Sequence, residues 1–315
     1  MTGLSETGQP DVKNGRFRAV DLALIAMMIL PFLACIALKI LYTPPHEGVH
    51  IAGALVYLEI PAPVQPLIIS ESQVNSWGVM ISILGLCLYL THGLTARAGL
   101  KRQLAAEWIV EKCQKLVDEN MGEYFTTWAA FIAAILGLSA FSSLSCLVGL
   151  FAPTGDVNVT AGWAILVFIL IMYYKFKGGA WNYFAGLFKP IPVFAPINLI
   201  GEFSTPVSMA FRHYGNVLSG AVVSALMAAA LGGLSKSLLG WLPGFLGDIP
   251  FLRIGIPAVL SIYFDIFSGC MQAFIFAMLT MMNVAGAVPW DEWNARRAKK
   301  NGGLSDRPPN PLRDE

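Results

Sequence analysis

The sequence predicts an all-α polytopic membrane protein with about six transmembrane helices, of which the last two are long and tilted, plus an amphipathic helix on the membrane surface. Of its 315 residues, 56% are hydrophobic and only 13% are charged, a balance typical of proteins with several membrane spans. The formal net charge of +1 gives no reason to expect a nucleic-acid partner. The five cysteines lie mostly in apolar runs without metal-ligand spacing, so we expect buried, unpaired side chains.

Apolar runs that are expected to cross the bilayer follow one another along the chain, at 19–41, 77–94, 128–151, 163–174, 209–234 and 255–288. The last run would be roughly 50 Å long as a helix, against ~30 Å of hydrocarbon. It must therefore tilt, break or lie partly along the membrane. The first run is interpreted as a retained span, because it is long for a signal peptide and lacks a small-residue cleavage site; a cleaved signal segment is the alternative.

The segments between these runs suggest an orientation. Residues 96–121 mix lysine and arginine with apolar side chains, which favours an amphipathic helix on the membrane surface over an ordinary solvated helix. Basic residues also precede the first run and follow the fourth and sixth, so both termini are expected in the cytoplasm. We divide the chain into a cytoplasmic tail, two helices with an external loop, a cytoplasmic-side amphipathic helix, a four-helix ion-translocating membrane core and a second cytoplasmic tail, at 1–18, 19–95, 96–125, 126–288 and 289–315.

The first external loop contains a short zinc-site pattern. HEGVH, from His46 to His50, matches HExxH, in which Glu47 would be the general base. Gly48 weakens a helix at this place, two prolines precede the motif, and no third ligand is evident. A solvated loop is favoured, and an intramembrane zinc protease remains an alternative that rests on this motif alone. No phosphate-binding or nucleophile-elbow motif occurs, and we expect neither a cofactor nor a metal ion.

The fifth apolar run carries an arginine among polar residues. Ser204, Ser208, Arg212 and Asn216 are spaced four apart and would share one helical face. A guanidinium cannot lose its proton at physiological pH, and at membrane depth it costs at least ~2.5–3.5 kcal/mol, so it usually faces protein or water. Small residues nearby at 215, 219 and 220 would let a neighbouring helix approach closely. The arrangement suggests a partner carboxylate, for which another chain is one source.

The last run carries a second polar group. Asp265, Ser268 and Gln272 have offsets of three, four and seven, which place them on one helical face. A carboxylate within a membrane span is a candidate for an ion path. The alternative is an ion pair with Arg212 that only fixes helix packing.

Two further carboxylates are candidates for channel mouths. Glu202 would line a cytoplasmic vestibule, or it is a first-turn carboxylate favoured by the helix dipole. Asp156 would flank an external opening, although turn chemistry explains it equally. His213 is about 100° around the helix from Arg212, and we interpret it as a packed, neutral side chain.

These residues resemble a known family. PVSMAFRHYGNVLSG, at 206–220, resembles the signature of subunit a of F-type ATP synthases, P-[IV]-S-x-x-x-R-L-[FY]-G-N-x-x-x-G. PTGDVNVT at 153–160 and MQAFIFAMLT at 271–280 resemble two further motifs of that family, in the expected order. Together the three motifs cover the chain from 153 to 280, and their order makes the resemblance specific.

The resemblance implies a non-catalytic channel subunit, the membrane stator of the rotary motor. Its two half-channels would pass H⁺ or Na⁺ to and from a carboxylate on a rotating ring of c subunits, and would couple ion flow to rotation. The implied partners are the c-ring, the b-subunit peripheral stalk, the soluble F1 ATPase and the lipid of a bacterial cell membrane. By resemblance Arg212 is the essential arginine and Gln272 its companion on the last helix. Ser208 and Asn216 match polar positions of the signature, and Asp265 lies where members carry His or Glu.

The chain also departs from the family pattern. Ala221 stands where many members have Glu or His, so Asp265 with water would serve the external route alone. The run at 19–41 is additional to the family's common five-span core. A secondary transporter that binds an anionic substrate through Arg212 is the alternative function, although no internal repeat supports it. A non-transporting membrane scaffold would leave the buried charges unexplained.

Overall fold

The computed structural model describes residues 19–43, 53–61, 63, 66–94, 101–177, 179–188, 192–239, 255, 259–260 and 262–290. The HEGVH motif, the first tail and residues 291–315 of the second tail lie outside these residues. The α-helices are α1 (Ala19–Tyr42), α2 (Glu71–Thr91), α3 (Lys101–Met121), α4 (Ala129–Leu144), α5 (Val157–Lys177), α6 (Ala180–Leu187), α7 (Ala195–Leu239) and α8 (Gly269–Gly286).

Within the described residues, six helical stretches are long and apolar enough to cross a membrane. They are Ala19–Tyr42, Glu71–Thr91, Tyr124–Val148, Val157–Lys177, Ala195–Leu238 and Ile262–Gly286. The all-α, multi-span fold predicted from the sequence is therefore confirmed. The amphipathic segment forms α3, as a separate helix between the second and third spans.

The fifth span is much longer than hydropathy indicated. Helix α7 has 45 residues and begins at Ala195, well before the start of the apolar run at Met209. The difference arises because the first turns of α7 carry polar side chains, such as Asn198 and Glu202, that lower local hydropathy without breaking the helix. A helix of this length extends about 67 Å, twice the ~30 Å of hydrocarbon, so it cannot stand upright in a bilayer.

Four elements were not predicted. Strands β1 (Val56–Ile60) and β2 (Leu67–Ser70) pair antiparallel in the loop after α1. The short helix α6 follows α5. A π-helix, Ile262–Ser268, leads directly into α8. We call the end of the bundle with β1, β2 and residues 150–156 the hairpin end.

Helix α1 packs closely on α2 through glycines. A Cβ atom added at Gly78 would lie 2.9 Å from the Cys35 sulfur, and one at Gly85 would lie 3.1 Å from the Met28 amide nitrogen. A larger residue at either position would need its neighbour to shift, so the glycines allow α1 and α2 to approach closely, and at Gly85 the approach is to the backbone of α1.

Both ends of α1 are also held by ion pairs. At its start Asp21 pairs with Arg102 of α3 at 2.5 Å, and at its end Lys39 pairs with Glu71 of α2 at 2.9 Å. Asp21 and Glu71 are buried, 7% and 2% exposed, so each carboxylate needs its cation. The additional first span is thus joined to the remaining bundle at both ends.

The apolar core lies among α3, α4, α5, α7 and α8. Its largest fully buried side chains are Met121, Phe125, Ile132, Phe276 and Met281. The Phe125 ring has four aromatic neighbours, with centroids 5.1 to 6.2 Å away, on Tyr124, Trp128, Tyr174 and Trp290. These edge-to-face contacts fasten the start of α4 to the end of α5, at the end of the bundle opposite the hairpin end.

Candidate functional site

Arg212 lies on an exposed face of α7. Ser208, one turn earlier, is also exposed, and so are the apolar side chains around them: Val207 is 52% and Phe211 59% exposed. Arg212 takes part in none of the ion pairs found among the described residues. The sequence alternative of a packing ion pair with Asp265 therefore does not describe this structure. The guanidinium is presented outward, on a surface of mixed apolar and small polar character.

One turn further along α7, Asn216 joins the π-helix. Its Nδ2 donates to the Ser268 carbonyl oxygen at 3.3 Å, and its Oδ1 accepts from the Ser268 hydroxyl at 2.9 Å. A Cβ atom at Gly220 would lie 3.3 Å from Phe264, so glycine allows α7 and the π-helix to approach here. Asn216 and Ser268 thus form a polar junction between the last two spans, one turn from Arg212.

The other polar residues of the last span are partly or fully covered. Asp265 is half-buried within the π-helix, and Gln272 is 5% exposed, one turn into α8. Because a π-turn contains more residues than an α-turn, the spacing of 3.6 used for the sequence does not hold across Ile262–Ser268. The shared helical face predicted for Asp265, Ser268 and Gln272 therefore cannot be taken from their spacing alone.

At the end opposite the hairpin end, two neighbouring cavities lie beside α7. Their volumes are about 650 Å³ and 270 Å³, and both are lined by Lys175, Glu202 and Thr205. Lys175 of α5 forms an ion pair with Glu202 and lies 6.0 Å from the Tyr183 ring centroid. Burial and the Glu202 carboxylate raise the pKa of Tyr183. Thr205 is seven residues before Arg212, about 10 Å along the helix, so the cavities reach towards the arginine.

Asp156 lies in a hydrogen-bonded turn at the hairpin end. Its Oδ1 accepts from the Asn158 amide at 2.9 Å, as in an Asx-turn, and its Oδ2 accepts from the Ser72 hydroxyl at 2.5 Å. The neighbouring Glu71 carboxylate accepts from the Phe151 amide at 3.1 Å. The start of α2 therefore holds the turn that precedes α5.

Sequence reasoning missed the partners of several site residues. Lys175 appeared only as a basic residue near the end of a span, whereas it pairs with Glu202. Glu71 was part of a loop in the sequence interpretation, whereas it binds Lys39 and the Phe151 amide. His213, expected to be packed, is 0% exposed. One feature of the sequence could have identified these residues: each is ionisable and lies within or next to an apolar run.

Three features characterise the site: an outward-facing arginine within a membrane span, a polar junction beside it, and cavities that approach it from one end. Together they are typical of polytopic membrane proteins that move ions. The comparisons with known proteins identify the family. The family model described as "ATP synthase A chain" matches residues 74–285, and the chain belongs to that family. It is a stator subunit that takes part in ion translocation; a secondary transporter is not favoured.

Several relatives are similar over most of their length. "ATP synthase subunit a, sodium ion specific" of Propionigenium modestum is 29% identical over 264 residues, covering 78% of this chain and 83% of that protein. "ATP synthase subunit a" of Bacillus pumilus is 30% identical over 228 residues, covering 67% and 90%. The protein of the same name from Acidothermus cellulolyticus is 30% identical over 237 residues, covering 71% and 79%. Helix α1 lies outside the residues that the family model matches.

Proposed function

We propose that Arg212 is the fixed charge that a carboxylate on each c subunit meets as the c-ring turns past α7. The assembly would also contain the b-subunit stalk and the soluble F1 ATPase, in a bacterial cell membrane with both termini of this chain in the cytoplasm. The observation that carries the proposal is the exposed Arg212, without an ion pair among the described residues, on the helix that holds the family signature.

Lipid cannot satisfy this guanidinium. Hydrocarbon offers no hydrogen-bond acceptor, so a charge that faces it is costly, and such residues normally turn towards protein or water. The exposed Val207 and Phe211 beside Arg212 suit contact with another apolar helix better than an open aqueous surface. A neighbouring helix with one carboxylate fits both requirements.

The charge has two consequences for the passing carboxylate. At ~4 Å and an effective dielectric constant of about 20, the attraction is roughly 4 kcal/mol, which favours the ionised carboxylate and release of its ion. The same fixed positive charge repels a cation that would cross directly from one half-channel to the other. Arg212 would therefore promote release of the ion from the c-ring carboxylate and prevent direct ion flow between the two half-channels.

Two half-channels would reach the carboxylate from opposite sides of the membrane. The cavities lined by Glu202 and Thr205 support a cytoplasmic one. Asp265, with the junction of Asn216 and Ser268, supports an external one with Asp156 near its mouth. Gln272 and Ser208 would lie beside the arginine, between the two. Each elementary charge that passes 100 mV releases ~2.3 kcal/mol, which the ring would convert into torque.

The proposal is tested in inverted membrane vesicles that contain the whole complex. Arg212→Ala should abolish ATP-driven ion pumping while ATP hydrolysis persists, because the ring then has no fixed charge against which to exchange its ion. Lys236→Ala is the matched control: it removes another exposed cation from α7, in its last turn, and should leave pumping unchanged. Undiminished pumping in Arg212→Ala would reject the role.

A further inference from the structure

His213 is an ionisable side chain at the depth of Arg212 that the family role does not use. It is 0% exposed and points into the bundle. Two aromatic rings flank the imidazole edge-on, Trp163 of α5 with its centroid at 6.0 Å and Phe276 of α8 at 5.4 Å. Its one hydrogen-bond partner among the described residues is the Ser139 hydroxyl of α4, 3.2 Å from Nε2. Its Nδ1 is buried without a partner.

A buried imidazole nitrogen without a hydrogen-bond partner indicates a water molecule next to it. Leaving a buried polar group unpaired costs about 1–3 kcal/mol, and buried polar groups that lack protein partners are commonly bridged by internal water. His213 is not alone in this respect. Other buried side-chain oxygens without a hydrogen bond lie on α2, α4 and the turn before α5: Asn75 Oδ1, Ser82 Oγ, Ser143 Oγ and Thr154 Oγ1.

Polar side chains along α4 lead from His213 towards the hairpin end, which is the external end in the proposed orientation. Ser139 and Ser143 lie four residues apart on α4, and Cys146 follows three residues later in the 3₁₀-helix Ser145–Val148. Ser143 packs directly on α8, since a Cβ atom at Gly269 would lie 2.7 Å from its Cβ. Asp265 lies in the π-helix that ends at Ser268, directly before Gly269, so it is on the span against which Ser143 packs. We call Asp265, Cys146, Ser143, Ser139 and His213 the polar file.

We propose that His213 is a proton relay at the inner end of the polar file, and that the ion passed by this stator is H⁺. This inference rests on the stator function proposed above. With Nε2 accepting from Ser139, the neutral ring carries its proton on Nδ1. Water in the file that carries the excess proton gives it to the Ser139 hydroxyl as that hydroxyl gives its own proton to Nε2, while Nδ1 gives its proton to water on the side of the c-ring carboxylate. The imidazole then holds its proton on Nε2, and exchange with water returns the proton to Nδ1 before the next transfer. The number of protons on the imidazole is unchanged after each transfer.

The charges around His213 favour onward transfer. Arg212 is the adjacent residue of α7, and its permanent positive charge disfavours an imidazolium that keeps its proton. Asp265, at the outer end of the polar file, attracts cations into it. Among the described residues, Ser139, Trp163 and Phe276 make the hydrogen-bond and ring contacts to His213, and none of them carries charge. A proton is thus drawn in at one end of the polar file and expelled at the other.

The same surroundings fit Na⁺ poorly. A hard cation takes carboxylate, carbonyl or water oxygens as ligands, and it needs several of them at once. Among the described residues, the one oxygen that hydrogen-bonds to His213 is the Ser139 hydroxyl, and aromatic rings lie on two other sides of the imidazole. A proton needs a single lone pair, which the imidazole provides.

The test uses vesicles that contain the whole complex. In His213→Gln, which keeps a polar side chain but removes the titratable ring, ATP-driven H⁺ pumping per ATP hydrolysed should fall at least about tenfold, as expected when a positioned proton-transfer group is lost. His92→Gln makes the same exchange outside the membrane-spanning helices and should pump at the wild-type rate. Wild-type pumping should be abolished by a protonophore and be independent of Na⁺.

The results test the relay and the identity of the ion separately. A wild-type pumping rate in His213→Gln overturns the relay. Na⁺-dependent pumping that survives a protonophore overturns the assignment of H⁺, and in both cases loss of pumping in Arg212→Ala leaves the stator function standing. If His213→Gln does not assemble, Ser139→Ala decides: slower pumping with normal assembly supports the relay, and an unchanged rate contradicts it.

Discussion

Asn216 and Ser268 hold the last two spans together one turn from Arg212. The Asn216 amide donates to the Ser268 carbonyl oxygen at 3.3 Å, and the Ser268 hydroxyl donates back to the Asn216 side-chain oxygen at 2.9 Å. A reciprocal pair of this kind fixes the distance between two helices as well as their rotation. Because Asn216 follows Arg212 by one turn of α7, this contact also fixes the direction in which the arginine faces.

Asn216→Ala should weaken both assembly and pumping. It removes both hydrogen bonds and leaves the Ser268 hydroxyl without its acceptor, at a cost of roughly 1–3 kcal/mol. We expect a lower thermal midpoint for the purified complex and a partial loss of ATP-driven pumping. Ser237→Ala, at an exposed position near the end of α7, is the control. Equal midpoints and rates for the two variants would show that the junction contributes neither stability nor geometry.

The ion pair between Lys39 and Glu71 predicts a non-additive pair of substitutions. Lys39→Met leaves the Glu71 carboxylate, 2% exposed, without a cation, which costs more than the pair itself contributes. Glu71→Gln in the same chain should recover part of the loss, because the uncharged amide needs no counter-ion. A double-mutant cycle on the thermal midpoint of the complex measures this. Additive effects of the two changes would mean that the pair is not coupled.

A stronger effect is expected from Glu71→Ala than from Lys39→Met. The carboxylate also accepts from the Phe151 amide at 3.1 Å and the Leu55 amide at 3.4 Å, so its removal releases the hairpin and the turn before α5 as well as α1. The thermal midpoint of the complex measures both effects. A larger decrease in Lys39→Met than in Glu71→Ala would contradict the conclusion that Glu71 joins α1, the hairpin and the turn before α5.

The cavities beside α7 predict labelling from one side of the membrane. In a background whose five native cysteines are replaced, Thr205→Cys should react with a membrane-impermeant thiol reagent applied to the cytoplasmic face, since Thr205 lines both cavities. Val167→Cys, at a 1% exposed core position, should stay unlabelled. Labelling of Thr205→Cys only from the outer face would reverse the proposed orientation.

The spans and the arginine could be predicted from sequence because both signals are local. An apolar run specifies a membrane helix, and an arginine inside it needs a partner wherever it points. The bounds of α7 could not be predicted, because polar residues such as Glu202 lower hydropathy while its cation, Lys175, comes from another helix. Lys175 and Glu202 are 27 residues apart in the sequence, so local composition does not reveal that they pair.

The last span shows a second limit of sequence periodicity. Offsets of three, four and seven assume 3.6 residues per turn, whereas Asp265 lies in a π-helix, Ile262–Ser268. The contacts that distinguish this segment are tertiary: Phe264 packs on Gly220, and Ser268 binds Asn216, so contacts with α7 favour the wider turn. Nothing within residues 262–268 alone specifies it.

The most direct test of the central claim is a cross-link between the face of Arg212 and the c-ring. A cysteine at Phe211, 59% exposed beside the arginine, is compared with one at Ile169, 61% exposed on α5, each with a cysteine placed next to the ring carboxylate. Under oxidation, Phe211→Cys should form a disulfide with the c subunit and Ile169→Cys should not. A cross-link from Ile169→Cys alone would place the ring on another surface and contradict the account.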